Sequence, residues 1–162
     1  MKKLILLIGI QGSGKTTLAK KLVEKGFSRI GADDIRGELF GDPIIQADTA
    51  KVFEIFFERL EKLLAAGGDV VVDNTNLNSK HRKPIIDLAK AAGYTDIQLW
   101  VLDIPLDVCL KRNAQRERVV PEEAITSYHN ELNRFRPHRA EGKLVILRPN
   151  KDGTELLFFA QS

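Results

Sequence analysis

The stretch Gly9-Ile10-Gln11-Gly12-Ser13-Gly14-Lys15-Thr16 leaves the chain little choice of local structure. It follows the apolar run Leu4–Ile8 and opens Thr16–Glu24, a helix-forming segment stopped at Gly26. G-x-x-x-x-G-K-[ST] between a buried strand and a helix is the loop that cradles phosphate. Glycines let the backbone bend and approach a ligand without side-chain clash. Successive N–H groups then point inward, and the helix N-terminus adds partial positive charge. Gly12, Ser13, Gly14 and Thr17 belong to this cradle; Lys15 reaches the β- and γ-phosphates, and the Thr16 hydroxyl ligates Mg²⁺. The competing reading, a glycine-rich turn with a stray lysine, has to explain both the constrained positions and their flanks. The spacing is not G-x-G-x-x-G, which disfavours a dinucleotide site. The expected ligand is a nucleoside triphosphate.

The remaining pattern alternates strand and helix, which predicts a mostly parallel sheet covered by helices on both faces. Expected strands are Leu4–Ile8, Phe27–Ile30, Asp69–Asp73, Ile97–Asp103, Leu144–Leu147 and Glu155–Ala160. Between them, Phe53, Phe56, Phe57 and Leu60 fall at i, i+3, i+4 and i+7 within Ile44–Ala66, one helical face ended by Gly67-Gly68. Further helices are expected over Ser79–Ala92, with a kink at Pro84, over Leu106–Arg116, and from Pro121 to about Phe135. The fold class is therefore α/β, a three-layer sandwich.

Length and composition suit one domain over 1–162: 162 residues, 43% apolar, supply one core. No run reaches the about 18 apolar residues of a membrane span. MKKLILLIG has the basic head of a secretory signal, but its apolar run is short and no small-residue cleavage site follows, so a buried first strand is expected. Cys109 is the sole cysteine, so no intrachain disulfide can form, which suits a cytoplasmic protein. His81, His129 and His138 lack metal-ligand spacing, and a net charge of +3 is too small to argue for a polyanionic partner.

Two acidic features lie near the expected carboxyl ends of strands, where α/β folds bind ligands. Asp73 ends the valine strand and is followed by Asn74-Thr75-Asn76-Leu77-Asn78. Such a residue commonly holds Mg²⁺ beside a phosphate loop. The alternative is a turn or capping run, with Asn78 capping the next helix. Asp33-Asp34-Ile35-Arg36 follows the second strand. Either a carboxylate there takes the proton of an attacking hydroxyl with Arg36 orienting it, or Asp33 or Asp34 is the N-cap of a helix.

GIQGSGKTT, ADDIR, DNTNLN and KRNAQR, in this order, resemble the kinase domain of phage polynucleotide 5'-kinase/3'-phosphatases and the stand-alone P-loop kinases related to them. The resemblance runs from Met1 to about Tyr128 and implies a P-loop kinase sandwich with a helical lid at about 111–121. It implies Asp33 as general base for a 5'-hydroxyl and Arg36 as the arginine that contacts substrate phosphate and places that base. It also implies Arg112 and Arg116 as lid arginines on the donor phosphates. Being four apart, they are expected on one helix face, clustered with Lys111 and Arg118. The family's acidic residue directly before T-N-L-N falls on Asn74, with Asp73 one position earlier, and the lid is one residue shorter after Arg116. No phosphatase signature follows, so 3'-phosphatase activity is not expected.

The function these features imply is ATP- and Mg²⁺-dependent phosphoryl transfer to a hydroxyl, foremost the 5'-hydroxyl end of a nucleic acid. Asp33 is the base, Lys15 and Arg116 stabilise charge, and Thr16 with Asp73 holds the metal. A small-molecule acceptor on the same scaffold is the alternative, because fold cannot choose between acceptors. A nucleotide-dependent switch without kinase activity is a third reading, and the aspartate pair argues against it. Ser79–Lys83 and Arg134–Arg139 either line a nucleic-acid path or are solvated helix surface. Trp100 is expected in the core. No membrane partner is expected.

Overall fold

β1 (Lys3–Ile8) runs through the middle of the sheet because its residues are apolar on both faces. The computed structural model describes residues 2–42, 48–117, 119–153 and 155–161. After β1 come α1 (Lys15–Glu24), β2 (Ser28–Ile30), α2 (Ala32–Phe40), α3 (Thr49–Ala66), β3 (Val70–Asp73), α4 (Ser79–Ala91) and β4 (Asp96–Leu102). The chain continues with α5 (Leu106–Ala114), α6 (Glu122–Arg134), β5 (Lys143–Pro149) and β6 (Leu156–Gln161). One six-stranded sheet has the order β2-β3-β1-β4-β5-β6. All neighbours are parallel except β6, which runs antiparallel along β5. The sandwich is an α/β fold of the expected class.

Alternation along each strand feeds two cores. Leu4 and Leu6 of β1, with Val70 and Val72 of β3, pack against α2, α3 and α4. Ile5 and Leu7, with Val71, pack against α1, α5 and α6. On α3 the fully buried line is Val52, Phe56, Leu60 and Leu64, a spacing of four. Phe53, Phe57 and Leu63 flank it partly buried, so the expected aromatic stripe is rotated slightly off the core. The start of that expected segment, at Ile44, lies outside the described residues. α4 continues through Pro84, close enough to the helix start that few backbone bonds are lost. Trp100 is half-buried, donates Nε1 to Gln98 and meets Phe158 edge-on, so it belongs to the packing between β4 and β6.

Arg82 was expected on a basic face, and it is interior instead, 1% exposed. It pairs with Glu141 at 2.8 Å and donates to the carbonyls of Asn76 and Phe135, each at 2.9 Å. A buried guanidinium needs such a complete set of partners. It ties α4 to the loop after β3 and to the segment after α6. No described helix is long and apolar enough to cross a membrane.

Candidate active site

At the carboxyl ends of β1, β2 and β3 a cleft of about 550 Å³ opens. It is lined by Gly12, Gly14, Lys15, Thr16 and Thr17 of the loop and α1, and by Arg29, Asp33, Asp34, Arg36, Asp73 and Asn74. Arg112, Arg116, Tyr128 and Phe53 also line it. Ser13 does not line it; it is buried, and its hydroxyl donates to the Ile10 carbonyl at 2.7 Å, bracing the loop from behind.

The loop is shaped by α5 as well as by itself. Gly12 has φ +83°, and a Cβ there would lie 2.5 Å from the backbone oxygen of Cys109. Arg112 donates to the Gly12 carbonyl at 3.2 Å from the same helix. Lys15 folds back to donate to the Ile10 carbonyl at 3.2 Å. Burial pushes its ammonium below the usual lysine range, against the pull of Asp73 and Asp33, and Arg116 adds to the lowering. A bound polyphosphate would supply the direct ionic partner that Lys15 lacks among the described residues. Burial also pushes the Cys109 thiol up to about 11, against Arg112 and Lys15.

The aspartate pair opens α2, but neither aspartate is its N-cap. That place is Gly31, which makes no side-chain capping bond. The Asn74 side chain accepts from the Ala32 N–H at 2.8 Å and so caps α2 from the end of β3. Gly31 packs so closely that a Cβ would lie 2.7 Å from the Asp73 carbonyl oxygen. The two aspartates then diverge. Asp34 is bound by Arg29 at 2.6 Å. Asp33 is 71% exposed, and among the described residues its carboxylate pairs with Arg36 alone, at 2.8 Å, through one oxygen. The Arg36 guanidinium is 5.8 Å from the Phe53 ring, and its Nε is buried without a hydrogen-bond partner among the described residues. Both acidic residues therefore sit in the first turn, where the helix dipole favours negative charge.

Asp73 keeps its side chain in the cleft, 4% exposed, with Arg29 Nε and Nη2 donating to its Oδ2 at 2.9 and 2.7 Å. Its position and that of Asn74 thus divide the work: Asp73 supplies a carboxylate and Asn74 caps the helix of the aspartate pair. Thr16 and Asp73 together offer a hydroxyl and a carboxylate oxygen. That hard-oxygen set suits Mg²⁺, which binds through one or two protein groups plus substrate phosphates and water.

α5 ends at Ala114, so Arg112 and Arg116 do not share a helix face. Arg116 stands in the following turn, its N–H donating to Asn113 O. Asn113 closes that turn with both polar atoms of its amide, to Val120 O at 2.7 Å and Val120 N at 3.0 Å. Both arginines still line the cleft. Arg118 lies outside the described residues.

Sequence reasoning passed over Arg29, Tyr128 and Phe53 as cleft residues. An arginine within a three-residue strand is the one local signal for the first, since a strand paired to β3 has little room for an unpartnered cation. Tyr128 and Phe53 read as ordinary helix residues.

A mostly parallel sheet in this order, with the phosphate loop after β1 and convergent cations beyond it, is the P-loop kinase fold. Residues 4–136 match the family of AAA domains, and the chain belongs to that family. It is 33% identical over 134 residues to a protein of Autographa californica nuclear polyhedrosis virus named "Putative bifunctional polynucleotide kinase/RNA ligase", covering 74% of this chain and 19% of that one. To the L-seryl-tRNA(Sec) kinase of Methanococcus maripaludis it is 29% identical over 141 residues, 80% of this chain and 52% of the other. The chain thus spans a fifth to a half of these relatives. A solved chain of the Pnkp1/Rnl/Hen1 RNA repair complex superimposes with a TM-score of 0.73 at 22% identity, over 99% of this chain and 49% of that one.

Proposed function

We propose that this protein transfers the γ-phosphoryl group of ATP to a hydroxyl, with the 5'-hydroxyl end of a polynucleotide as acceptor. The observation that carries the reading is the exposed Asp33 carboxylate, held by a buried Arg36, in the same cleft as the phosphate loop. A nucleotide-binding module needs no such base. The Arg36 guanidinium lines the cleft beside Asp33, which suits an anionic acceptor.

In this reading Gly12, Gly14 and Thr17 hold the donor, Ser13 braces the loop behind them, and Lys15 bridges the β- and γ-phosphates. Bound Mg²⁺ would neutralise charge on those oxygens, and Thr16 and Asp73 are the residues that would hold it. Asp33 accepts the acceptor's proton, Arg36 orients Asp33 and the acceptor phosphate, and Arg112 and Arg116 meet the transferring oxygens. Catalysis is mainly positioning and electrostatics. Residues 111–121 act as the lid of one kinase domain, working in the cytoplasm in nucleic-acid repair. The viral relative's printed name supports a polynucleotide acceptor.

A smaller hydroxyl acceptor is favoured by one observation. Arg82, Lys83, Arg136 and Arg148 each hold a carboxylate partner, which limits a basic track beyond the cleft. The test is incubation with γ-³²P-ATP, Mg²⁺ and 5'-hydroxyl DNA or RNA, beside a 5'-phosphorylated control and Asp33→Ala. Label on the 5'-hydroxyl strand alone, lost in Asp33→Ala with ATP binding intact, is expected. No label on either polymer would sink the polynucleotide reading and leave small-molecule hydroxyls. Failure of every acceptor, with ATP bound, would favour a switch.

A further inference from the structure

The cleft holds three carboxylates, Asp33, Asp34 and Asp73, on a surface meant for a polyanion. Each must be compensated, because a carboxylate near a triphosphate repels it strongly in a partly buried site. Arg36 answers Asp33. Among the described residues the other two pair with one cation, Arg29. Its Nε and Nη2 donate to Asp73 Oδ2 and its Nη1 donates to Asp34 Oδ2, so the whole fork is spent on carboxylates. Asp73 is almost wholly buried, whereas Arg29 keeps 24% of its side chain exposed at the cleft wall.

Lys15 is the group most affected by this arrangement. It is half-buried in the same cleft as Asp73, the first of the carboxylates that pull on its charge. Even so, its ammonium bonds to the Ile10 carbonyl and makes no ion pair with Asp73. Arg29 already occupies that carboxylate with a bifurcated contact, which is stronger and more directional than a lysine can form. Without Arg29, Asp73 would be a buried anion with Lys15 as its available partner, and a lysine held by Asp73 is withdrawn from phosphate.

We propose that Arg29 is a positioning residue of the phosphate site: by engaging Asp73 and Asp34 it keeps Lys15 available to nucleotide phosphates and leaves Asp33 as the carboxylate open to the acceptor. The inference rests on the reading that a nucleoside triphosphate binds the phosphate loop. It concerns binding before any transfer, so it is tested without metal and without acceptor.

The experiment is calorimetric titration of ATP in EDTA into the parent, Arg29→Met, Arg29→Lys, Asp73→Asn and Arg29→Met/Asp73→Asn proteins, with circular dichroism melts as the folding check. Arg29→Met should weaken metal-free ATP binding about tenfold, and Arg29→Lys by less, because charge is kept and the fork is lost. The double variant, which removes the anion along with its cation, should return to within about threefold of the parent. Asp73→Asn alone should bind at least as tightly as the parent, and this arm reads the proposal even if Arg29→Met does not fold. A loss of fold quality alone would not be repaired by a second substitution. The proposal is overturned by folded Arg29→Met binding ATP like the parent, by no recovery in the double variant, or by weaker binding in Asp73→Asn. Lys15→Ala is the control; parent-like binding there would overturn both this inference and the phosphate-loop reading. An Asp33→Ala protein that keeps full turnover would sink the base assignment alone and leave the binding series unaffected.

Discussion

On one wall of the cleft, Gly12, Lys15 and Thr16 come from one continuous stretch of loop and helix start. On the other, Arg29 reaches Asp73 across 44 residues and Asn74 caps Ala32 across 42. The first wall is set by glycine conformations and a helix start, both short-range properties. The second exists only once β2 has paired with β3, since Arg29, Asp34 and Asp73 otherwise have no reason to meet. Even the loop wall is not wholly local. α5 presses on Gly12, so the loop shape depends on a helix nearly a hundred residues later in the chain.

That last contact gives the sharpest way to break the contrast. Gly12→Ala combines a positive φ with a Cβ only 2.5 Å from the Cys109 oxygen. The expected cost is about 3 kcal/mol, together with loss of ATP binding. Urea melts and ATP titration check it, and a stable variant with parent-like ATP affinity would show that α5 yields easily. A smaller effect is expected on the other wall. Asn74→Ala removes the distant cap of α2 and should cost about 1 kcal/mol. Because α2 carries Asp33 and Arg36, turnover should fall while ATP affinity stays unchanged; equal losses in both would mean the two walls are not separable.

The smallest effect concerns the rim beyond β4, where Asp103 holds Arg136 at 2.7 Å and Arg148 at 3.0 Å. Burial raises the Asp103 carboxyl, but hydrogen bonds and charge from these two arginines outweigh it and hold it below the usual range. A depressed folded value stabilises the protein above the unfolded value and loses that stabilisation as pH falls. Asp103→Asn should therefore cost about 0.5–1 kcal/mol near pH 7, a gap that shrinks as pH drops below about 4. Melting both proteins across pH 3–7 tests the sign. A gap that grows toward acid would contradict the ion-pair account.

Much of this architecture was legible beforehand. Leu4–Ile8 and Val70–Val72 are unbroken apolar runs, and only strands buried on both faces tolerate that in so short a span. The phosphate loop was legible because its chemistry needs glycines and a lysine at fixed spacing. The aspartate pair was visible as a feature, but the distinct fates of Asp33 and Asp34 were not. They are neighbours in sequence and both exposed, yet one pairs with Arg36 and the other with Arg29. Arg112 and Arg116 reached the cleft by a route different from the expected one. A shared helix face was read from their spacing, whereas α5 stops at Ala114 and the Asn113 amide folds the turn back.

Ser79–Lys83 shows the same limit from the other side. As a string it reads as an exposed basic run, but Arg82 is drawn inside by Glu141, a residue no local pattern connects to it. Sequence alone determined the alternation of strand and helix, the phosphate loop and the residues available to hold phosphate, because backbone preference and hydrophobic period act over a few positions. Tertiary structure decided which charges are spent on one another and which remain for a ligand. Charge pairing depends on distance in space, and the sheet order places β2, β3 and the loop after β1 side by side in a way their order along the chain does not reveal.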